Sequence, residues 1–507
     1  MSSESRAPTR DGASKLAFPV RAPDLLKVRA IWILPLVLGS VVMVLMTALY
    51  VGSVVDPLDH LHALPVAVVN QDRGAMIGAQ RINIGQEVQR GLSGSPAVSG
   101  RLGLADTTLG SAEQAMNRGA SYATVVIPPG FTASMLNLAG VSAGGPGSGR
   151  PEIVILTNQR AGTVGVSLAT GVLQPGIGAA SGQIGRQLAA FAPAGASNPL
   201  TRAFLADPVT VTTAEYRPLP SHAALGLSAF YIALLILICG FLAGIIVNSS
   251  VDAALGYAAT EMGPRWRQRQ PLAINRWQTL LIKWVMAVVL ACLMTGLMLL
   301  VAVGIFGMDA PHVGLLWLLA WLASVSVAEG TIVLFAILGA SIGTLPAMLA
   351  FVYAGLASSG GTVPLQALPG VLRWLAEIEP LRQILAGTRA ILYFGALADA
   401  GLTRAVTAAA LGLVFWLVLG AGVVKWYDRK RFNRIDPELL AYVGGSVDQY
   451  KSGNADARQQ DPRKMQAGKP SRAPRSKLAT GRKLFISAAS WKSIFCTPCT
   501  AVWSEAV

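Results

Sequence analysis

Glu329 is the residue with the clearest chemical potential in this chain, because it interrupts a long apolar stretch. Ser324, Ser326 and Thr331 are its nearest small polar neighbours in the sequence. A carboxyl group inside a membrane span is costly, and its presence indicates a functional or helix-bridging role. Two interpretations stay open from the sequence: a structural carboxyl held between helices, or a group that couples transport to protons.

A second candidate is the basic segment at 248–276, which separates two apolar stretches. Four arginines lie there among tryptophans and other apolar residues: Arg265, Arg267, Arg269 and Arg276. This mixture is typical of a segment that lies at the membrane interface. Basic residues beside membrane spans also set the orientation of the chain, so a simple topology signal is the alternative explanation.

The sequence lacks the residue patterns that several kinds of chemistry require. No G-x-x-x-x-G-K-[ST] pattern is present for binding nucleotide phosphates. The GxSxG pattern at 339–343 lies between two apolar stretches rather than after a strand, which favours small-residue packing over a hydrolase nucleophile. The single CxxC, Cys496 and Cys499, and the segment 56–62 do not make up a set of zinc ligands. We therefore predict no catalytic residues, no metal site and no cofactor, and expect a protein that is not an enzyme.

The composition predicts an integral membrane protein. Apolar residues make up 53% of the 507 residues, charged residues only 13%, and the mean hydropathy is +0.52. Apolar stretches long enough to cross a bilayer need about 20 residues. We place six of them, of which the fifth is short: 30–55, 223–247, 277–306, 313–338, 344–358 and 405–425. The predicted fold class is an α-helical polytopic membrane protein with a large extracytoplasmic mixed α/β domain between helices 1 and 2.

The charge distribution predicts the orientation. The chain has 41 basic and 26 acidic residues, a net charge of +15. Basic residues cluster in the arm 1–29, in 248–276 and in the tail 427–507, so these segments are expected in the cytoplasm, with both tails mostly disordered. The excess of positive charge is explained by the orientation of the chain in the membrane and by contact with anionic membrane lipid. We therefore expect no nucleic-acid binding.

The predicted outer domain spans 56–220 and alternates strands with helices. Its first strand, 66–69, is β-branched and ends in a polar turn in which Asn70 and Asp72 hydrogen-bond the backbone and Gly74 takes a positive φ. Further strands are predicted at 122–127, 152–157 and 208–213, and helices at 79–92, 111–118, 131–138 and 164–188. The glycine-rich stretch 140–150 reads as a mobile loop.

The remaining membrane domain, 221–426, carries two further patterns. The second span contains a GxxxG, Gly240 and Gly244, which permits close helix packing or dimerisation. After the fifth span, 359–395 combines helical apolar spacing with charges, which predicts interfacial or half-inserted helices on the outer side.

The chain resembles the YhgE/Pip (phage infection protein) and DUF3533 group of the ABC-2 type permease superfamily over about 30–440. The likeness rests on VAVVNQDRGA at 66–75, AEQAMNRGASYATVVIPPGFTASMLNL at 112–138, EIVILTNQ at 152–159, and the order SGGTVP, LP, EP and GTRA within 359–390. The last pattern is similar to the outer re-entrant segment of these permeases. Its matching positions are Gly360, Gly361, Pro364, Pro369, Pro380 and Arg389.

The resemblance implies an ABC-2-like exporter in the cell membrane that moves an amphipathic or lipid-like compound. It also implies a homodimer with separate ATP-binding-cassette subunits, contacted through a helix at about 252–276. Two alternatives stay open: an envelope receptor or scaffold that transports nothing, and a proton-driven exporter that uses Glu329.

Overall fold

The computed structural model describes most of the chain between 29 and 432. The described residues are 29–54, 56–77, 80–139, 151–191, 206–262, 265–267, 269, 271–272, 274–430 and 432. Residues 1–28 of the predicted arm, the loop at 140–150, and residues 433–507 of the predicted tail, with Cys496 and Cys499, lie outside them.

Helix α1 (Arg29–Val54) leads into a mixed α/β domain. The strands of the domain are β1 Leu64–Asn70, β2 Ala75–Ile77, β3 Gln80–Ile82, β4 Leu102–Asp106, β5 Ala123–Ile127, β6 Glu152–Thr157 and β7 Thr210–Glu215. Its helices are α2 Ile84–Gly94, α3 Pro96–Ser99, α4 Leu109–Asn117, α5 Phe131–Leu138 and α6 Thr163–Phe191.

Five of these strands form one mixed sheet in the order β4-β1-β5-β6-β7. Strand β1 is parallel to both of its neighbours, so that Val66 lies opposite Leu104 on one side and Ala123 on the other. Strands β5 and β6 are antiparallel, and β6 and β7 are parallel. The central strand β1 is largely buried, as its apolar β-branched run predicts.

The helix predicted at 79–92 is wrong at its start. Strand β3 pairs with β2 in a separate hairpin, and α2 begins only at Ile84. The reason is local, because the Asn83 side chain accepts a hydrogen bond from the N–H of Gln86 and caps the helix there.

The membrane part follows the domain. Its elements are α7 Ser228–Ala254, β8 Thr260–Met262, β9 Arg265–Arg267, α8 Arg276–Leu299, α9 Val313–Leu338, α10 Ala340–Met348, α11 Ala354–Ser358, α12 Gly370–Ile378, α13 Pro380–Tyr393 and α14 Leu402–Arg429. Wider π-helical turns extend α8 to Ile305 and join α10 to α11. The described residues contain six helical stretches long and apolar enough to span a membrane, which confirms the predicted number.

The α/β domain and the membrane part share an apolar core. Buried side chains of the domain, such as Leu64 and Ile153, belong to the same cluster as Ala357 of α11, Leu372 of α12 and Leu368 between these helices. Such a continuous core fixes the position of the α11–α12 segment against the domain.

The GxxxG of the second span packs within this chain. A Cβ at Gly240 would lie 2.5 Å from the carbonyl oxygen of Ser324 and 2.8 Å from Cβ of Val327, both on α9. A Cβ at Gly244 would lie 2.7 Å from Cβ of Thr331. The two glycines are buried against α9, so they form an internal helix contact and not the dimer face that the pattern also allowed.

Candidate functional site

A cavity of about 700 Å³ lies among the membrane helices. Helices α9, α12, α13 and α14 and the turn between α10 and α11 form its walls, which are mostly apolar. Its apolar and aromatic lining includes Val327, Phe351, Trp374, Ile378, Ile384, Ala409, Leu411, Phe415 and Trp416. The volume lies in the range that holds a drug-sized ligand, about 300–1,000 Å³.

Besides Ser326 of α9, the cavity is lined by three polar side chains, Glu377, Glu379 and Gln383, which gather at one end of it. They come from the end of α12 and the start of α13, which the chain connects through a sharp turn. The cavity therefore combines an apolar body with one polar end, an arrangement that suits an amphipathic molecule.

Glu379 is fixed by its position as the N-cap of α13. Its carboxylate oxygens accept hydrogen bonds from the N–H groups of Leu381, at 2.8 Å, and Arg382, at 3.1 Å. Pro380 occupies the first position of the helix, where no N–H is required. Burial raises the pKa of Glu379 to about 7, while these two hydrogen bonds act in the opposite direction.

Glu379 also explains a glycine in the fifth span. A Cβ at Gly355 would collide with the Glu379 carboxylate, so α11 can approach the polar end of the cavity only with glycine at this position.

Glu377 lies in a network of charges at the same end. It forms ion pairs with Arg382 and with Arg404, the latter at 2.9 Å. Arg404 also donates from Nε to Oε1 of Gln383 at 2.6 Å. The hydrogen bond from Arg382 is the main reason why the pKa of Glu377 is lowered, with the charges of both arginines adding to it.

We expect Glu379 to make the stability of the protein depend on pH. Its pKa of about 7 in the folded protein exceeds its ordinary value of 4.5, so between these values the unfolded chain loses the proton first. The free energy of unfolding should therefore fall as the pH rises from about 4.5 to 7, by on the order of 3 kcal/mol. Thermal unfolding of the full chain in nanodiscs at pH 5 and pH 8 measures this fall.

The matched variants are Glu379→Gln, which should lose most of the fall in Tm between pH 5 and pH 8, and Glu215→Gln, an exposed residue of β7 that should keep it. An unchanged pH dependence in Glu379→Gln would show that another group is responsible.

Glu329 does not line the cavity. Its side chain lies in α9 and is only 1% exposed. Among the described residues, neither carboxyl oxygen has a hydrogen-bond partner. No described residue therefore bridges Glu329 to another helix by a hydrogen bond, and both interpretations above stay predictions.

The basic segment forms a short hairpin where the resemblance implied a helix. Strands β8 and β9 pair so that Glu261 lies opposite Trp266, and the described residues between α7 and α8 contain no helix. Gly263 and Pro264, which lie between the strands in sequence, are turn-forming residues.

The four arginines of this segment are not equivalent. Arg265 and Arg267 belong to β9, and Arg269 is exposed after it. Arg276 instead begins α8, where it pairs with Asp428 at 3.7 Å and lies 5.6 Å from the ring of Tyr427. It thus joins two helices, while the other three belong to the loop.

A buried ion pair close to this segment could not be identified from the sequence alone. Lys283 of α8 lies 2.8 Å from Asp252 and 2.7 Å from the side-chain oxygen of Asn248, both in the last turns of α7. The only signal in the sequence was a charged residue next to apolar residues on each of two separate helices. The pair holds the last turns of α7 against the first turns of α8, the helix that Arg276 links to Asp428 at the end of α14.

The segment 359–395 places its glycines and prolines at turns. Gly360 has φ +72°, and a Cβ at Gly361 would collide with the ring of Phe230. Pro364 and Pro369 precede a 3₁₀ turn and α12, respectively. These positions fix the path of the chain between α11 and α13.

Arg389 of α13 faces the α/β domain. A Cβ at Gly162 would lie 3.5 Å from its Nη2, and its Nε is buried with no hydrogen-bond partner among the described residues. Burial lowers the pKa of Arg389, and the nearby Tyr122 and Tyr393 act in the opposite direction. Arg389 is therefore a contact between the domain and the membrane helices.

The polar turn after β1 organises the α/β domain. The Oδ1 of Asn70 accepts from the N–H of Asp72 at 3.0 Å, and Gly74 has φ +75°. Asp72 is buried and accepts hydrogen bonds from the N–H groups of Gly85 and Thr132, each at 3.2 Å, and from the Thr132 hydroxyl. The turn thus joins β1 to the starts of α2 and α5.

Replacing Asp72 with Ala should destabilise the α/β domain by about 3 kcal/mol, because buried donors of Gly85 and Thr132 lose their acceptor. Limited proteolysis and thermal unfolding of the full chain measure the effect. Asp106→Ala, which removes an exposed carboxylate of β4, is the matched control and should leave both readouts unchanged. Equal behaviour of the two variants would contradict this role.

Comparisons with known proteins give one family and one distant structure. The model of DUF3533, described as a protein of unknown function, matches residues 35–417. A crystal structure of a domain provisionally assigned to an ABC type-2 transporter from Thermotoga maritima MSB8 is 22% identical, with a TM-score of 0.21; the match covers 33% of this chain and 97% of that one. No curated protein matches the chain.

Proposed function

The chain belongs to the DUF3533 family, and we propose from the geometry of this chain that it is an ABC-2-like permease that exports an amphipathic or lipid-like compound. The cavity of about 700 Å³ carries this proposal. Its walls include α9, α14 and the stretch from α10 to α11, which are long and apolar enough to span a membrane, and it has one polar end.

The lining of the cavity supports cargo entry from the lipid. Trp374, Ile378, Leu411 and Phe415 line it and are between 57% and 70% exposed, so they can contact lipid chains and cargo alike. The apolar body of the cargo would lie against these side chains. Its polar group would meet Glu379 and the other polar residues at the α12–α13 turn.

The orientation predicted from the charges is part of the proposal. The Arg276–Asp428 pair and the Lys283–Asp252 pair bring the end of α7, the start of α8 and the end of α14 together. Lys425, Arg429 and Lys430 lie at this same end, as expected for a cytoplasmic face. The start of α14, with the Glu377–Arg404 pair, lies at the other end, where we place the extracytoplasmic α/β domain and a re-entrant segment near 359–395.

We further propose that the β8–β9 hairpin contacts a separate ATP-binding-cassette subunit, in a complex that contains two copies of this chain. The sequence has no phosphate-binding loop of its own, so coupling to ATP requires another chain. Arg269 is exposed in this loop and available for such a contact. We also propose that this chain belongs to the YhgE/Pip group in particular.

A crosslinked pull-down from the native membrane tests the proposal, with co-purified chains identified by mass spectrometry. The loop variant replaces Arg265, Arg267 and Arg269 with Lys, which keeps the charges that set orientation and removes the planar guanidinium groups. We expect an ATP-binding-cassette subunit with the wild type and at least a tenfold smaller yield of it with the loop variant.

The control is Arg429→Lys, an equivalent change at the exposed end of α14. It should retain the subunit in full. If no such subunit appears while other membrane complexes survive, ATP coupling is wrong, and the receptor or scaffold alternative becomes the hypothesis to test.

Proton-driven export is a second candidate, favoured by the buried carboxyl of Glu329 whose two oxygens have no partner among the described residues. Glu329→Gln keeps the shape of the side chain and removes its ability to carry a proton. Loss of export in proteoliposomes with an imposed pH gradient would support this candidate, and unchanged export would eliminate it.

A further inference from the structure

A second cavity, of about 430 Å³, lies where the α/β domain meets the C-terminal end of α13. It is separate from the cavity among the membrane helices and shares no residue with it. The side chains that distinguish it are Asn117, Arg160, Tyr216, Arg217 and Tyr393. We refer to it as the arginine cleft.

The arginine cleft carries positive charge that is not neutralised. Arg160 and Arg217 both line it, and no carboxylate of the described residues lies within 4.0 Å of either guanidinium group. Burial lowers the pKa of Arg160, and the charge of Arg217 lowers it further. Two like charges held in one cleft are stabilised by an anion between them.

The protein holds Arg160 in place through backbone oxygens. Its Nε and Nη2 donate to the carbonyl of Pro218 at 3.2 and 2.8 Å, and its Nη1 donates to the carbonyl of Tyr393 at 2.9 Å. A guanidinium group has five N–H donors, so two stay available. Arg217 lies 5.6 Å from the ring of Tyr216 and makes no hydrogen bond to the described residues, so all of its donors are available.

Asn117 has a hydrogen-bond acceptor without a partner among the described residues, so a ligand that supplies a donor suits this cleft. Its Nδ2 donates to the hydroxyl of Tyr216 at 3.2 Å, whereas its Oδ1 is buried and accepts from no described residue. A buried acceptor without a partner costs free energy, which a ligand hydroxyl would recover when the Asn117 side chain turns its Oδ1 toward the cleft. The cleft thus offers guanidinium donors for an anion and an amide acceptor for a neighbouring hydroxyl.

The cleft lies beside the first residues of a spanning helix. The hydroxyl of Tyr393 lies 2.8 Å from Oγ of Ser228 and 3.3 Å from the N–H of Ala229, which are the first residues of α7. Because α7 is one of the spanning helices, this end of it lies at the level of the lipid headgroups.

We propose that the arginine cleft binds a glycerol phosphate group, with the phosphate on Arg160 and Arg217 and a glycerol hydroxyl on Asn117. An anionic lipid with a phosphoglycerol headgroup presents this chemistry at the right level, and soluble glycerol phosphate presents it from water. This site does not depend on the export proposal, because none of its residues lines the cavity among the membrane helices.

Native mass spectrometry of the full chain in detergent tests the site, with short-chain phosphatidylglycerol, phosphatidylcholine and soluble glycerol 1-phosphate as probes. We expect phosphatidylglycerol to bind at least tenfold more tightly than phosphatidylcholine. Arg217→Gln should weaken the binding of phosphatidylglycerol by about 10- to 100-fold, because a charge-assisted contact to phosphate is lost. Arg217 is exposed, so its replacement leaves folding intact.

Two further variants sharpen the test. Asn117→Asp keeps the shape of the side chain, adds a negative charge beside the phosphate, and should also weaken binding at least tenfold. Arg90→Gln, which removes the same charge from the exposed face of α2, should change binding less than twofold. Equal binding of both lipids by the wild type, or equal loss in Arg217→Gln and Arg90→Gln, would overturn the proposal.

The soluble probe distinguishes the two sources. Competition between glycerol 1-phosphate and phosphatidylglycerol, lost in Arg217→Gln, would establish a headgroup site. Binding of glycerol 1-phosphate alone, with the same dependence on Arg217, would support the site with a soluble ligand as its source.

Discussion

Replacing Gly240 with Val should reduce the stability of the membrane part more than any other single change discussed. Even the first added carbon would lie 2.5 Å from the carbonyl oxygen of Ser324. The two helices must then separate, which also breaks the hydrogen bond from the Ser324 hydroxyl to the carbonyl of Ile236, 2.8 Å long. Overpacking of this kind costs about 1–3 kcal/mol, and valine adds two further methyl groups.

Thermal unfolding of the full chain in nanodiscs measures the loss, together with the fraction recovered as a single species on size exclusion. Gly422→Ala is the matched control, because no atom lies within 4 Å of the Cβ that it adds to α14. It should unfold at the wild-type temperature or slightly above it.

The same experiment distinguishes an internal helix contact from a dimer face. If Gly240 and Gly244 packed against a second copy, Gly240→Val would convert dimers to monomers and leave the unfolding temperature of the monomer unchanged. That result would contradict the packing between α7 and α9 that the structure shows.

The membrane helices were predictable because length and apolarity alone define them. The span 313–338 has the predicted bounds, and the third, fifth and sixth spans begin and end within about four residues of the prediction, whereas the second begins and ends later than predicted, at Ser228 and Ala254. The fifth span begins earlier than predicted, at Ala340, because Gly339 with φ +79° ends the preceding helix and the next one starts directly after it.

The α/β domain was predictable where its strands are apolar and buried. The prediction of 152–157 is correct to the residue, β1 contains the predicted 66–69, and β5 begins one residue later than the predicted 122–127. Strand β4 was missed, because it is short and only Leu102 in it is buried. Strand β3 was missed because its sequence, Gln-Arg-Ile, has neither alternation nor a run of apolar residues.

The cavity among the membrane helices had no signature in the sequence. Its walls come from segments far apart in the chain, between Ala323 and Trp416, and most of them are ordinary residues of spanning helices. The polar end has a weak signal: Glu379 before Pro380 is a typical helix start. A cavity is an absence of packing between several elements, and only their three-dimensional arrangement can show it.

Filling the cavity should weaken the binding of amphipathic molecules. Ala409 of α14 lines the cavity and is partly buried, so Ala409→Phe places a ring in the space that a ligand body would occupy. We expect the affinity for an amphipathic probe to fall at least tenfold, because the apolar area available to the probe is removed at about 25 cal/mol per Å². A lysophospholipid with a brominated acyl chain is a suitable probe, since bromine quenches tryptophan fluorescence and Trp374 and Trp416 line the cavity.

The control for Ala409→Phe is Val414→Phe, which adds a ring to the same helix at a residue that is 56% exposed and does not line the cavity. It should show wild-type quenching at every probe concentration. Saturable quenching in the wild type, lost in Ala409→Phe and kept in Val414→Phe, would place the probe in the cavity. Equal quenching in all three proteins would mean that the probe contacts only the lipid-facing tryptophans, and the cavity would no longer support the export proposal.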